Sequence, residues 1–146
     1  MKRTLCLIAI AVLLAPALAR ADGFEQATLR EIDRARAEQG LGQLQAHAGL
    51  SAAAARAAQW MADNDVLGHP PDLLERLDDV APHQHVFGET LAWMPGSRET
   101  LARRTVRAWL RSPPHRAILL MGPMQLAGVA TCRAGAATYV AAEFAG

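Results

Sequence analysis

The N-terminal segment constrains this chain most, because it differs in kind from everything that follows it. Met1-Lys2-Arg3 is basic, Leu5 to Pro16 is almost wholly apolar, and positions 17–21 offer two Ala-x-Ala cleavage sites. This pattern is typical of a secretory signal peptide, since its apolar core is shorter than the ~20 residues that a membrane-spanning helix needs. We therefore expect residues 1–21 to be a cleaved signal peptide and residues 22–146 to be one secreted or periplasmic domain.

Export also decides what can hold the domain together. The chain contains 2 cysteines, and removal of the signal peptide would leave only Cys132. A single thiol cannot form an internal disulfide, so the mature domain must be stable through core packing, which a chain of this length can supply. Because Cys132 lies in the apolar run 126–132, we expect a small buried side chain rather than a reactive thiol.

Composition excludes several functional classes. The only lysine is Lys2, so the mature domain has no lysine for Schiff-base chemistry or for a phosphate-binding loop, and no glycine-rich loop of that kind occurs. The mature domain would carry 12 arginines and 14 acidic residues, a net charge of about −2. That balance gives no electrostatic case for binding nucleic acid or an anionic membrane. We therefore exclude nucleotide-dependent functions and expect no nucleic-acid partner. We also expect a monomer.

The hydrophobic pattern predicts one domain that combines helices with strands. The expected helices are Phe24–Gln39, Ala48–Asn64, a short helix from Asp72 to Leu77, and a third long helix that ends by Arg111 or Ser112 because Pro113-Pro114 follows. The expected strands are Val86–Trp93, Gln125–Cys132 and Thr138–Phe144, the last two forming an antiparallel hairpin around Ala134-Gly135. No repeat, linker or low-complexity tract is found, so the elements form a single α+β or layered domain.

Three polar residues are candidates for chemistry. His69 lies in a proline-rich loop after the second helix, and His115 follows the end of the third long helix. Glu89 shares an otherwise apolar strand face with Phe87 and Leu91, where an unpaired carboxylate would be costly. Two imidazoles and a carboxylate are the ligand types that zinc and similar divalent ions select. Spacing alone does not join these residues, so a shared metal site and three unrelated structural residues both remain open.

The other candidates favour ordinary structural roles. We expect His47 to be solvated and Glu143 to occupy an edge or surface position, although Glu143 could also join the site. His83 and His85 fit a solvated loop better than a metal-binding pair. The tryptophans fall in apolar patterns that indicate core packing: Trp60, Trp93 and Trp109.

The order of these residues resembles a known family. The chain is similar to the bacterial branch of the CAP superfamily, the secreted domain shared by cysteine-rich secretory proteins, insect venom antigens and plant pathogenesis-related proteins. The matching segments are Ile32 to Arg36, Gly40 to Leu44, Leu50 to Met61, His69, Gly88 to Ala92, Trp109 to Arg116, Gly128 to Ala130, and Tyr139 to Phe144. The resemblance covers the mature chain from about Thr28 to Phe144.

The resemblance implies a fold and a cleft. The fold would be a three-layer α-β-α sandwich with a small, largely antiparallel central sheet. The cleft would be lined by two histidines and acidic residues, carried here by His69, Glu89 and His115, and in several family members it binds divalent metal. Two departures stand out, because the family's Gly-Glu-Asn motif is Gly88-Glu89-Thr90 here and its second acidic residue is Ser112. Any metal, such as zinc, would therefore be bound weakly and would need water to complete its shell.

The resemblance does not define one reaction, because the family has no common catalytic activity and fold does not decide function. We expect a binding module without catalytic residues, which takes a divalent metal, a small apolar or lipid-like ligand, or a cell-envelope component. The alternative is a secreted hydrolase. It would use either a metal-activated water with Glu89 as base, or Ser112 and His115 as nucleophile and base. A structural envelope protein with a vestigial cleft is the third hypothesis.

Overall fold

The structure is a computed structural model that describes residues 23–97 and 100–146. The predicted signal peptide, residues 1–21, lies outside the described residues. The helices are α1 (Gly23–Ala37), α2 (Ala48–Asn64), α3 (Leu73–Asp78), α4 (Leu101–Arg111) and α5 (Pro113–Leu119). The strands are β1 (Gln45–Ala46), β2 (Phe87–Pro95), β3 (Leu126–Ala134) and β4 (Ala137–Ala145). None of the described helices combines the length and apolar character needed to cross a membrane.

The strands form one sheet in the order β1-β3-β4-β2. Strand β4 lies between β3 and β2 and pairs antiparallel with both, while the two-residue β1 pairs parallel with β3. The predicted hairpin is confirmed, with Gly135 at φ +59° in its turn, a conformation that glycine adopts without steric cost. The sheet is thus largely antiparallel, and the long strand β2 occupies one edge.

The described helices cover both faces of this sheet. Helices α1, α4 and α5 enclose one apolar core around Ile32, Trp109 and Phe144. Helices α2 and α3 enclose the other face through two smaller groups, one around Met61 and Tyr139 and one around Leu50 and Leu77. The α-β-α sandwich expected from the resemblance is therefore present.

Close packing of α2 on the sheet depends on one glycine. A Cβ atom at Gly128 of β3 would lie only 2.0 Å from the backbone nitrogen of Ser51 in the first turn of α2. Only glycine permits that approach, because backbone atoms on both sides cannot move aside as a flexible side chain can. The alanines on the buried face of α2 serve the same purpose: Ala53, Ala54, Ala57 and Ala58 are all buried.

Arg36 connects α1 to the segment after α5. Its guanidinium is buried and donates to the carbonyl oxygens of Gly42, Leu119, Met121 and Met124 at 2.8–3.1 Å. Burial lowers the pKa of Arg36, and the nearby charge of Asp33 partly opposes this shift. A buried charge is tolerated here because the guanidinium is hydrogen-bonded to four backbone carbonyls.

The structure corrects several sequence expectations. Pro113-Pro114 do follow the end of α4, but they also begin α5, since the first turn of a helix tolerates proline. Trp93 is 48% exposed rather than packed in the core, because it lies toward the end of the edge strand β2 while α2 packs mainly on β3 and β4. The core position predicted for Trp109 is confirmed: the side chain is buried, and its indole nitrogen donates to the Leu91 carbonyl at 2.8 Å. Cys132 is half-buried against the α2 core, and burial raises its pKa.

Candidate functional site

His69 lies on the loop between α2 and α3, which directs its imidazole toward the edge strand β2. Asp65 caps the C-terminus of α2 in the left-handed conformation with φ +48°, and the chain then turns back toward the sheet. Pro70 is buried while 57% of the His69 side chain is exposed. The Nδ1 atom of His69 lies 2.5 Å from Oε1 of Glu89. The structure therefore places the first two predicted site residues in direct contact.

Glu89 is fully buried, and a second glutamate lies directly opposite it. The register of β2 against β4 pairs Glu89 with Glu143, and neither side chain is exposed. Cross-strand partners in an antiparallel pair have Cβ atoms only ~5 Å apart, so two carboxyl groups meet in a dry environment. The prediction of an edge or surface position for Glu143 was wrong, because β4 is an inner strand of the sheet and is buried throughout.

Arg76 of α3 reaches both glutamates. Its Nη2 atom donates to Glu89 Oε2 at 3.5 Å, and its Nη1 atom lies 3.7 Å from Glu143 Oε1. Its Nε atom donates to the Pro71 carbonyl at 3.2 Å, which ties the guanidinium to the histidine loop. Glu89 thus has a partner on each carboxylate oxygen, His69 on one and Arg76 on the other.

Glu143 is less well satisfied than Glu89. In the part of the chain that the structure describes, both of its carboxyl oxygens are buried without a hydrogen-bond partner. Burial, with the neighbouring Glu89 carboxylate as the second cause, raises the pKa of Glu143 to about 9, although Arg76 opposes the shift. The pair therefore holds a proton at neutral pH, because two adjacent buried carboxyl groups cannot both ionise cheaply.

His115 lies in the first turn of α5 and is partly buried. Burial lowers the pKa of His115, and the nearby charge of His69 lowers it further. Ser112 precedes this helix, and within the described part of the chain its hydroxyl makes no hydrogen bond to His115. The nucleophile and base of the hydrolase alternative are therefore close in sequence but are not paired.

The described residues do not form a complete metal site. Among residues 23–97 and 100–146, no three His, Cys, Asp or Glu side chains are arranged to hold one ion. Both oxygens of Glu89 already have hydrogen-bond partners. The ring nitrogens of His69 and His115 are therefore the atoms of this set that are left to bind a metal ion. Metal binding by His69, Glu89 and His115 stays a prediction. Thr90, which replaces the family's asparagine, is buried, and within the described structure its hydroxyl has no hydrogen-bond partner.

Sequence reasoning missed Arg76 altogether and gave Glu143 the wrong environment. The alternation of β4 does place Glu143 on the face of Tyr139 and Ala141, so the pattern was also compatible with a buried position. Nothing in the sequence signals Arg76, because α3 is short and its contact with the sheet depends on the loop that precedes it.

A small cavity adjoins this cluster. It has a volume of about 270 Å³ and lies between α2 and the loop that carries His69. Its walls include Trp60, Pro70, Pro71 and Arg76. An apolar recess with a few charged groups at its rim is the usual form of a small-molecule site.

The fold and site together define a class, the three-layer α-β-α domains with a cleft of histidine and glutamate. The family model described as "Cysteine-rich secretory protein family" (CAP) matches residues 29–144. This chain therefore belongs to the CAP family. No curated protein sequence matches it.

Solved structures support the same fold. An outer surface protein from Borrelia burgdorferi is similar with a TM-score of 0.72 and 20% identity, over 82% of this chain and 90% of that one. An extracellular SCP-domain protein from Bacillus anthracis is similar with a TM-score of 0.70 and 22% identity, over 86% of this chain but only 41% of that one. The protein NaASP2, solved with Zn²⁺, is similar with a TM-score of 0.66 and 11% identity, over 88% of this chain and 82% of that one.

Proposed function

We propose that this protein is an exported binding domain whose cleft holds a divalent transition-metal ion between His69 and His115. The observation that carries the proposal is the contact of His69 Nδ1 with Glu89 Oε1 at 2.5 Å. Histidines that bind metal commonly give their other ring N–H to a carboxylate, which fixes the tautomer and the ring orientation. The contact with Glu89 leaves Nε2 of a largely exposed imidazole free to bind an ion.

His115 suits the role of second ligand. A histidine must be neutral to bind metal, and the lowered pKa of His115 favours its neutral form at neutral pH. Glu89 acts through His69 in this arrangement instead of binding the ion itself. With two protein ligands and no acid at position 112, water completes the shell and affinity is weak. A metal held in this way would supply a Lewis acid and a site for an anionic ligand group beside the 270 Å³ cavity.

The similarity to NaASP2 supports this proposal, since that protein was solved with Zn²⁺. Export is supported by the basic and apolar pattern of residues 1–21 and by similarity to proteins described as outer surface and extracellular. N-terminal sequencing of protein taken from outside the cytoplasm should begin at Arg20 or Asp22. An intact Met1 on the exported protein would contradict a cleaved signal peptide.

Calorimetric titration with Zn²⁺ tests the metal site. The wild-type domain should bind one ion, and the affinity should fall at acidic pH because protonated imidazoles cannot bind metal. The lowered pKa of His115 places its own protonation below ~6.5, the ordinary value for histidine. His69→Ala and His115→Ala should each abolish binding, and Glu89→Gln should weaken it by about 10–100-fold because the carboxylate behind His69 is lost.

His83→Ala is the matched control, because His83 is an exposed histidine in a turn and is not one of the proposed ligands. Its zinc affinity should equal that of the wild-type protein. Circular dichroism of each variant establishes that the fold persists. Undiminished binding in either His69→Ala or His115→Ala would refute the site.

A further inference from the structure

A second, larger groove lies between α1 and α4 and extends to the start of α5. It has a volume of about 430 Å³ and shares no residue with the histidine cleft. Its floor includes the apolar side chains of Val106 and Leu110. Its charged walls contain two glutamates, Glu31 and Glu38, and five arginines: Arg34, Arg103, Arg107, Arg111 and Arg116. The groove is therefore strongly positive in a domain whose overall charge is close to zero.

Three of these arginines form a row along α4. Arg103, Arg107 and Arg111 are spaced four residues apart, so they project from one face of the helix, and all three are exposed. Like charges at this spacing disfavour an isolated helix, so the row does not serve the stability of α4. Within residues 23–97 and 100–146, these three and Arg116 have no ion pair or side-chain hydrogen bond. Arg34 is paired with Glu31 at 3.0 Å.

The opposite helical layer is acidic. The end of α2, the following loop, and α3 with its C-cap carry six acidic residues: Asp63, Asp65, Asp72, Glu75, Asp78 and Asp79. In the described part of that layer, only Arg56 and Arg76 offset them. The net charge of about −2 thus conceals a separation of charge between the two helical layers. The net charge alone disfavours binding to an anionic membrane. Because the charges are separated, however, the layer that contains the groove can attract such a membrane.

The geometry of the row indicates the kind of anion. Arginine binds phosphate through a planar fork of N–H groups, and it is the side chain best suited to such contacts. Eight residues of helix separate Arg103 from Arg111, a rise of about 12 Å. That span exceeds one phosphate group, so a partner that fills the row must present several anions side by side. The apolar floor beneath them suits the glycerol and upper acyl segments of a lipid.

We propose that the arginine groove binds the phosphate groups of anionic phospholipids and docks α4 on a membrane surface. The acidic α2–α3 layer then faces away from the membrane, so the separation of charge orients the domain. Basic side chains near an anionic surface each strengthen attachment by about fivefold. The attraction is confined to about 10 Å at ordinary ionic strength, so it acts only when the groove faces the surface.

Vesicle sedimentation tests this proposal with the purified mature domain. Binding should occur to vesicles of phosphatidylglycerol mixed with phosphatidylcholine, should be much weaker with phosphatidylcholine alone, and should fall as salt is raised. The double variant Arg107→Glu/Arg111→Glu should lose at least about 25-fold in affinity for the anionic vesicles. The matched control is Arg56→Glu/Arg133→Glu, which makes the same change in net charge on exposed side chains outside the groove. It should bind nearly as tightly as the wild-type protein.

Three results would contradict lipid binding by the groove. Equal loss in both double variants would overturn the groove and would point to net charge alone. Equal binding to neutral and anionic vesicles would overturn the electrostatic basis. Soluble glycerol phosphate should compete only weakly; tight binding of it without vesicle binding would overturn the membrane partner in favour of a small phosphate ligand. Unchanged melting temperatures of both variants establish that folding is intact. An unchanged zinc affinity of the Arg107→Glu/Arg111→Glu variant shows that the loss of vesicle binding is independent of the histidine cleft.

Discussion

Glu89 and Glu143 face each other across the β2–β4 pair with both carboxyl groups buried, and Arg76 lies within 3.5 Å of one and 3.7 Å of the other. A guanidinium placed between two buried carboxyl groups offsets one negative charge but not two. The second carboxyl group therefore keeps its proton, and the raised pKa of Glu143 identifies which one does. Glu89 is the member of the pair that contacts His69.

The first prediction concerns stability and pH. The pKa of Glu143 is raised from 4.5 to about 9, so the folded protein retains a proton that the unfolded chain loses between these values. The contribution of this proton to the free energy of unfolding is complete below pH 4.5. It is lost as the pH rises toward 9, at up to about 1.4 kcal/mol per pH unit. Glu143→Gln mimics the protonated acid at every pH. Its free energy of unfolding, measured by urea denaturation, should fall less steeply with pH than that of the wild-type protein.

The exposed Glu75 of α3 provides the control for that measurement. Glu75→Gln should leave the pH dependence of unfolding unchanged. Parallel pH profiles for wild type and Glu143→Gln would show that Glu143 is already ionised in the folded protein, which would contradict a proton held by the glutamate pair.

The second prediction compares two arginines of α1. Arg36→Ala leaves four carbonyl oxygens without their donor, so it should lower the free energy of unfolding by about 3–5 kcal/mol. Arg34→Ala removes an ion pair with Glu31 whose arginine is 66% exposed, which should cost no more than about 1 kcal/mol. Both values come from chemical denaturation. Similar losses in the two variants would contradict the role given to Arg36.

The third prediction concerns the packing of α2 on β3. Gly128→Ala places a Cβ atom 2.0 Å from the Ser51 nitrogen, so α2 must move outward and lose contact with the sheet. A loss of about 3 kcal/mol or more is expected, at or above the usual range for overpacking. Gly122→Ala is the control, because its nearest neighbour, Leu41, lies 4.0 Å from the added atom. If the two alanine variants unfold at the same denaturant concentration, the close approach is not present in solution.

The fourth prediction concerns Cys132, the one free thiol among the described residues. Cys132 is half-buried, its Sγ lies 3.3 Å from Gln59 Oε1, and burial raises its pKa, all of which disfavour the reactive thiolate. A reducing agent should therefore leave the melting temperature of the mature domain unchanged. A clear drop on reduction would reveal an intermolecular disulfide through Cys132 and would contradict the expected monomer.

Local sequence patterns predicted much of the fold. Helix α2 is Ala48–Asn64, the range that the periodicity predicts, and the β3–β4 hairpin turns where Ala134-Gly135 indicates. Such features depend on neighbours within a few residues, so the sequence displays them directly. The two-residue strand β1 gave no signal, since it exists only through its pairing with β3.

Some residues of the candidate site could be predicted from the sequence, and others could not. His69, Glu89 and His115 could be named from residue type, loop position and family resemblance, because each lies beside a helix end or on an apolar strand face that the sequence shows. The order of amino acids was thus enough for the layered α+β fold, the close-packed helix α2 and these three residues. The folded chain was needed to show that Glu143 is buried opposite Glu89, that Arg76 serves both, and that five arginines line one groove. Those relations depend on strand register and on helices far apart in the chain, and both are settled by how the core packs as a whole.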